Sequence, residues 1–271
     1  MIAALSTMFS YSFMVRAFVV GLLVSLCAAL LGVSLVLKHY SMIGDGLGHV
    51  SFGALAIALS VGWAPLQFSV PVVILAAFGL LRLAQDKNIN SDAAIAVLSA
   101  SSLAIGVTVV SLTPGMSTNI DSYMFGSILA MDSGDVAFSI VLSVVVLALF
   151  FVCYHQLFAV TFDESFARAT GMPVGLYQSL LSVLTALTVV LGMRMIGAML
   201  ISSLIIFPAL SAMRLFKSFR AVTLCASVLS VLCFTAGLLL SYFLSTPTGA
   251  TIVLCHLVVL LLCSAVRFLR R

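Results

Sequence analysis

Long apolar stretches, separated by short polar segments, run along almost the whole chain. Each is close to the length of about 20 residues that a helix needs to cross a membrane. The pattern predicts nine membrane-spanning helices, at residues 17–37, 41–62, 65–84, 93–113, 136–154, 176–193, 195–213, 221–244 and 248–266. The sixth and seventh stretches are the hardest to separate, because Arg194 is nearly the only interruption between them.

Three shorter segments do not fit a simple series of spanning helices. Residues 1–12 carry two aromatic side chains and predict a short interfacial helix. The apolar piece 123–131 is too short to span, and it predicts a half-helix on or in the membrane. Within the polar segment 155–175, residues 161–173 predict a short amphipathic helix that ends at a Gly and a Pro.

The composition agrees with a membrane protein and excludes a soluble one. Of the 271 residues, 63% are hydrophobic and 7% are charged, and the mean hydropathy is +1.31. A soluble domain carries about 25% charged residues, and a disordered chain is poor in apolar residues. We therefore expect an all-α bundle, a single transmembrane domain over residues 1–271. The net charge of +4 forms no basic patch, so no nucleic-acid partner is expected.

The distribution of Lys and Arg predicts the orientation in the membrane. If nine helices alternate, all the Lys and Arg residues except Arg16 and Arg194 lie on one side. Basic residues near helix ends favour the cytoplasmic side. The sequence thus predicts a multi-pass chain with its N-terminus outside and its C-terminus in the cytoplasm.

One acid, Asp45, falls within a predicted span, and His49 follows it four residues later. At this spacing the two side chains share one face of a helix. A carboxylate and an imidazole together can bind a divalent metal such as zinc or manganese. They can also simply form hydrogen bonds with each other or with a neighbouring helix, and this alternative stays open. Nearby glycines that would allow close helix approach beside a narrow pathway are Gly44, Gly46, Gly48 and Gly53.

Other features argue against catalysis by this chain. It contains no Gly-x-x-x-x-Gly-Lys phosphate-binding loop, and Glu164 is its only glutamate, so a His-Glu-x-x-His protease motif is absent as well. His256 lies in the last apolar stretch next to Cys255, and we interpret it as an ordinary core histidine. We therefore expect that the chain is not an enzyme.

Several segments together resemble the zinc/manganese/iron ABC-importer permease family, the ABC-3 family. The most specific is Ser41–Gly53, which contains the Asp-x-x-x-His element with its glycines. The resemblance runs in order over essentially the whole chain. The other segments that carry it are 13–17, 123–129, 163–173, 196–200 with 207–209, and 246–254.

The resemblance implies a homodimeric, type II-like permease in the bacterial inner membrane. It implies separate cytoplasmic ATPase subunits, an extracytoplasmic metal-binding protein and no permanently bound cofactor. Residues 163–173 look like the family's coupling segment, which suggests that Asp163, Glu164, Arg168 and Gly171 contact the ATPase. The segments around His49 and Thr246 look most like those of the zinc members. Zn²⁺ is then the expected substrate, with Mn²⁺ or Fe²⁺ as the alternative.

Under this interpretation, transport proceeds by alternating access, and Asp45 and His49 form a transient site in the pathway. Two such pairs that meet at a two-fold axis would offer four ligands, enough for tetrahedral zinc. A second hypothesis is a proton-driven secondary transporter in which Asp45 and His49 relay protons. A membrane scaffold is the third, and it leaves the buried pair without a role.

Overall fold

The computed structural model describes residues 10–85, 91–114 and 133–269, and within these ranges it contains helices and no strands. The helices are α1 Ser12–Leu37, α2 Ile43–Val61, α3 Pro65–Gln85, α4 Ser91–Leu112, α5 Ser133–Val152, α6 Tyr154–Phe162, α7 Glu164–Ala169, α8 Val174–Ile196, α9 Ala198–Leu215, α10 Phe219–Leu244 and α11 Thr248–Leu269.

The predicted all-α membrane fold is confirmed. Among the described residues, 8 helices are long and apolar enough to span a membrane, and α9 is a shorter apolar helix in the position of the seventh predicted span. The break between α8 and α9 differs from the expectation. It falls at Gly197, whose φ of 98° ends α8, whereas Arg194 lies within the last turn of that helix.

Two sequence predictions lie at least partly outside the described residues. The proposed half-helix at 123–131 lies wholly outside them, and the proposed interfacial helix at 1–12 lies mostly outside them. A separate helix α6 was not expected, because residue 154 was assigned to the fifth span, 155–160 to a polar connection and 161–162 to the amphipathic helix.

The most buried of the spanning helices are α1, α2 and α8, and α8 packs against both α1 and α2. This explains their apolar sequences: α1 buries side chains all round, and its hydrophobic positions follow no single stripe. By contrast, α4, α5 and α11 bury only a small part of their surface. Large apolar side chains such as Leu112, Phe151 and Leu261 remain exposed there, as on surfaces that face lipid.

Ion pairs at the two ends of the bundle fit the alternating topology. At one end, the Lys38 ammonium lies 3.8 Å from a carboxylate oxygen of Glu164, so the α1–α2 connection meets the segment before α8. At the other end, Arg194 in the last turn of α8 lies 3.1 Å from Asp135 in the first turn of α5. Acids in a first turn and basic residues in a last turn both suit the helix dipole.

Glycines let α2 and α4 approach closely. A Cβ atom at Gly53 would lie 2.8 Å from the backbone oxygen of Ser102, and one at Gly106 would lie 2.7 Å from the ring of Phe52. Both distances are shorter than real Cβ contacts. The two helices therefore leave no space for larger side chains at these positions, and this fixes how α2 packs against α4.

Candidate functional site

The α2 helix begins after a tight connection from α1. His39 adopts a positive φ of 62°, and the Tyr40 amide donates to the Leu35 carbonyl at 2.8 Å, which closes the end of α1. Asp45 then lies in the first turn of α2, where the helix dipole stabilises its charge. The carboxylate therefore lies near one end of the spanning helix and not at its middle.

Asp45 and His49 are brought together as the spacing predicted. The Nε2 atom of His49 lies 3.7 Å from Oδ2 of Asp45, beyond hydrogen-bond distance. The Asp45 side chain is 38% exposed and that of His49 is 14% exposed. The other ring nitrogen of His49, Nδ1, is buried and has no hydrogen-bond partner among the described residues. A direct hydrogen bond between the two side chains is thus not what holds them together.

The separation of these two atoms permits a shared ion. Zinc binds imidazole nitrogen and carboxylate oxygen at about 2.1 Å, so two ligands of one ion lie at most about 4.2 Å apart. The observed 3.7 Å falls below this limit. No group of three or more His, Cys, Asp or Glu that could hold a metal occurs within residues 10–85, 91–114 and 133–269. In that part of the chain, then, the pair supplies two ligands and no third.

The glycines around the pair serve helix packing. A Cβ at Gly44 would meet Ile205 of α9 at 2.9 Å, and one at Gly46 would meet Ile95 of α4 at 2.8 Å. Gly48 is buried as well. Asp45 lies between Gly44 and Gly46 in the sequence, and its side chain remains partly exposed in a single chain. A role of the glycines in lining a pathway stays a prediction.

The segment after α5 contains the short amphipathic helix that the sequence predicted, now with bounds Glu164–Ala169. Asp163 begins it, because its Oδ1 accepts a hydrogen bond from the Phe166 amide at 2.9 Å. Gly171 ends the segment with a φ of 82°. The Arg168 side chain is 72% exposed and Phe166 is 63% exposed. Phe166, an exposed aromatic group beside Arg168, was missed by the sequence analysis.

Glu164 contacts both Arg168 and the bundle, and its side chain is 41% exposed. One carboxylate oxygen accepts from Arg168 at 2.8 Å, and the other accepts from the Gln178 amide of α8 at 2.7 Å. Lys38 lies 3.8 Å away, with a side chain that is 8% exposed. Burial lowers the pKa of the Lys38 ammonium, and the Glu164 carboxylate partly offsets that effect. Burial and Glu164 together raise the pKa of Tyr40. No local signal in the sequence pointed to Lys38 or Gln178.

His256 behaves as the core histidine that was expected. It is 2% exposed, and its Nδ1 atom lies 3.0 Å from the Ile252 carbonyl oxygen one turn earlier. It lies on α11, on a different helix from Asp45 and His49.

Comparison with known proteins identifies the family of the chain. The chain is 28% identical to the high-affinity zinc uptake system membrane protein ZnuB of Haemophilus influenzae, over 88% of this chain and 92% of that protein. It is 29% identical to the manganese import system permease protein ScaB of Streptococcus gordonii, over 90% of this chain and 87% of that protein. The solved structure of PsaBC from Streptococcus pneumoniae in complex with Fab matches with a TM-score of 0.87 and 28% identity, over 97% of this chain and 95% of that one. Residues 10–267 match the model of the ABC 3 transport family, and the chain belongs to that family.

Proposed function

We propose that this chain is the membrane-spanning permease of an ABC importer for divalent metal, and that zinc is its substrate. The observation that carries the proposal is the Asp45–His49 pair, 3.7 Å apart on a central helix of an ABC 3 chain. A carboxylate and an imidazole without a thiolate form a site that binds zinc and can release it again. Release is essential in a permease, because a site that keeps its ion transports nothing.

The proposal includes three partners. A separate ATPase supplies the energy, and the exposed Phe166 and Arg168 beside Asp163 and Gly171 form the surface that docks it. An extracytoplasmic metal-binding protein delivers the ion. A second copy of the chain completes the site, since two Asp45–His49 pairs at a two-fold axis supply four ligands.

The orientation is also part of the proposal. We place the chain in a bacterial inner membrane with Lys38, Glu164 and Arg214 on the cytoplasmic side. The Arg194–Asp135 ion pair then lies on the outer side. The excess of basic residues at the first end supports this orientation.

Manganese is the second candidate substrate. The relatives named for zinc and for manganese are almost equally similar, at 28% and 29% identity. Carboxylate oxygen suits manganese and imidazole suits zinc, and the pair contains one of each.

Uptake of zinc-65 and manganese-54 into proteoliposomes that hold the chain and its ATPase, with the metal-binding protein added on the extracytoplasmic side, tests the proposal. We expect ATP-dependent uptake of zinc-65. An excess of unlabelled zinc should abolish this uptake, and the same excess of manganese should reduce it far less. ATP-dependent manganese uptake without zinc uptake would assign manganese as the substrate. Metal uptake driven by a proton gradient without ATP would favour the secondary transporter instead, and absence of both would refute metal transport.

A further inference from the structure

A buried cation lies at the end of α1. The Lys38 side chain is 8% exposed, and Lys is rarely buried this far unless it is paired with an opposite charge. Glu164 supplies that charge at 3.8 Å. Among the described residues, no other carboxylate lies within 4.0 Å of the Lys38 ammonium. The position of Lys38 therefore depends on Glu164.

Glu164 connects three elements. It belongs to α7, it accepts a hydrogen bond from Gln178 of α8 at 2.7 Å, and it faces Lys38 in the α1–α2 connection. On the same short helix, Phe166 is exposed, and so is Arg168, which bonds to Glu164. Glu164 is itself 41% exposed, so it lies between the solvent-exposed part of α7 and the bundle.

The α1–α2 connection cannot absorb much movement. Its backbone is held by the Tyr40 amide, which donates to Leu35 at 2.8 Å, and by the Ile43 amide, which donates to Tyr40 at 3.1 Å. Asp45 follows Lys38 by only seven positions and lies in the first turn of the next helix. A displacement of Lys38 therefore also displaces the start of α2 and the Asp45 carboxylate.

We propose that Glu164 and Lys38 form a mechanical link that transmits movement of α7 to the metal-binding end of α2. This inference rests on the proposed function, because it assumes that α7 docks the ATPase and that Asp45 binds the transported ion. Glu164 and Lys38 are positioning residues here, and neither contacts the metal. The sequence analysis expected Glu164 to contact the ATPase, which stays a prediction, and the structure adds its contacts to Gln178 and Lys38.

The first test measures zinc-65 uptake and phosphate release together in proteoliposomes that contain the chain and its ATPase. Lys38→Met removes the charge and keeps an apolar stem, while Arg168 and Gln178 still hold Glu164 in place. We expect the zinc transported per ATP to fall about ten-fold, a typical coupling effect, with ATP hydrolysis nearly unchanged. A merely structural role would lower both rates in proportion. Lys217→Met, at an exposed position, is the matched control and should keep the wild-type ratio.

The double variant Lys38→Met/Glu164→Gln tests whether the two residues act as one unit. If they form a single link, the double variant should transport no less zinc per ATP than Glu164→Gln alone, because the second change removes nothing further. Effects that multiply would overturn the link, as would an unchanged ratio in Lys38→Met.

A second readout does not depend on which ion is transported. Met42 is 53% exposed at the start of α2, and a cysteine placed there reports movement through its labelling rate. We expect ATP with vanadate to change this rate in Met42→Cys and to leave it unchanged in Met42→Cys/Lys38→Met. An equal response in both would overturn the link. If neither zinc nor manganese is taken up but the labelling still responds only with Lys38 present, the proposed function fails and the link stands.

Discussion

Replacing Asp45 by asparagine removes one negative charge from the candidate metal site and keeps nearly the same shape. Two unit charges 4 Å apart in water interact with about 1 kcal/mol, so a divalent ion and a carboxylate gain about 2 kcal/mol. Because the Asp45 side chain is 38% exposed, the value for water is the appropriate lower limit. A loss of about 2 kcal/mol corresponds to roughly a 30-fold weaker interaction.

The same substitution should hardly affect folding. Asp45 lies in the first turn of α2, where loss of the charge costs about 0.3–1 kcal/mol through the helix dipole. Within residues 10–85, 91–114 and 133–269, the nearest ionic partner of its carboxylate is His49, at 3.7 Å. We therefore expect Asp45→Asn to be present in the membrane at the wild-type level and to transport at least about 30-fold less zinc at low concentration.

Zinc-65 uptake into cells that lack their own high-affinity zinc system, beside a membrane blot, provides the measurement. His49→Gln should show a similar loss, because a neutral amide oxygen is a weak substitute for imidazole nitrogen. His256→Gln is the control within the membrane and should transport nearly as well as the wild type. Strong uptake by well-expressed Asp45→Asn would refute the assignment of the site.

Three further predictions concern coupling, topology and packing. Gly171 has a φ of 82°, a conformation that costs a β-branched residue about 1–3 kcal/mol. Gly171→Val should therefore distort the end of the proposed coupling segment and uncouple ATP hydrolysis from zinc uptake; normal coupled transport would contradict this. A cysteine at Lys217 should react only with reagent inside the cell and one at Ser133 only with reagent outside; labelling from the same side would refute the topology. Gly53→Ala should lower the free energy of unfolding of the purified chain by about 1–3 kcal/mol, because the new methyl group would press on the Ser102 backbone. Gly79→Ala should leave it unchanged, because a Cβ there has nothing within 4 Å.

The number and order of the helices were accessible from the sequence because membrane helices are encoded locally. A stretch of about 20 apolar residues satisfies its own backbone hydrogen bonds in lipid wherever it lies in the chain. Where the local signal was ambiguous, the prediction was less accurate. Arg194 looked like a helix break because it is charged, yet it stays helical and pairs with Asp135, 59 positions earlier. The actual break lies at Gly197, where the backbone needs a conformation that glycine adopts easily.

The Asp45–His49 pair was predictable for the same reason. Side chains four positions apart on one helix are neighbours, so no distant contact is needed to bring these two within 3.7 Å. The contacts of Glu164 with the bundle were not predictable. Its contact with Arg168 is local, whereas its contacts to Gln178 and Lys38 span 14 and 126 positions. Such contacts depend on how the helices are arranged in three dimensions, which the hydrophobic pattern does not encode.

Under the proposed function, this difference would divide ion binding from coupling within one short chain. The Asp45–His49 pair lies within one helix, so a rigid movement of α2 keeps the two side chains together. The Glu164–Lys38 contact joins α7 to the α1–α2 connection, so a displacement of α7 from that connection breaks it. In the proposed transport cycle, the local pair therefore keeps its two ligands, while the long-range ion pair responds to the movement of the ATPase.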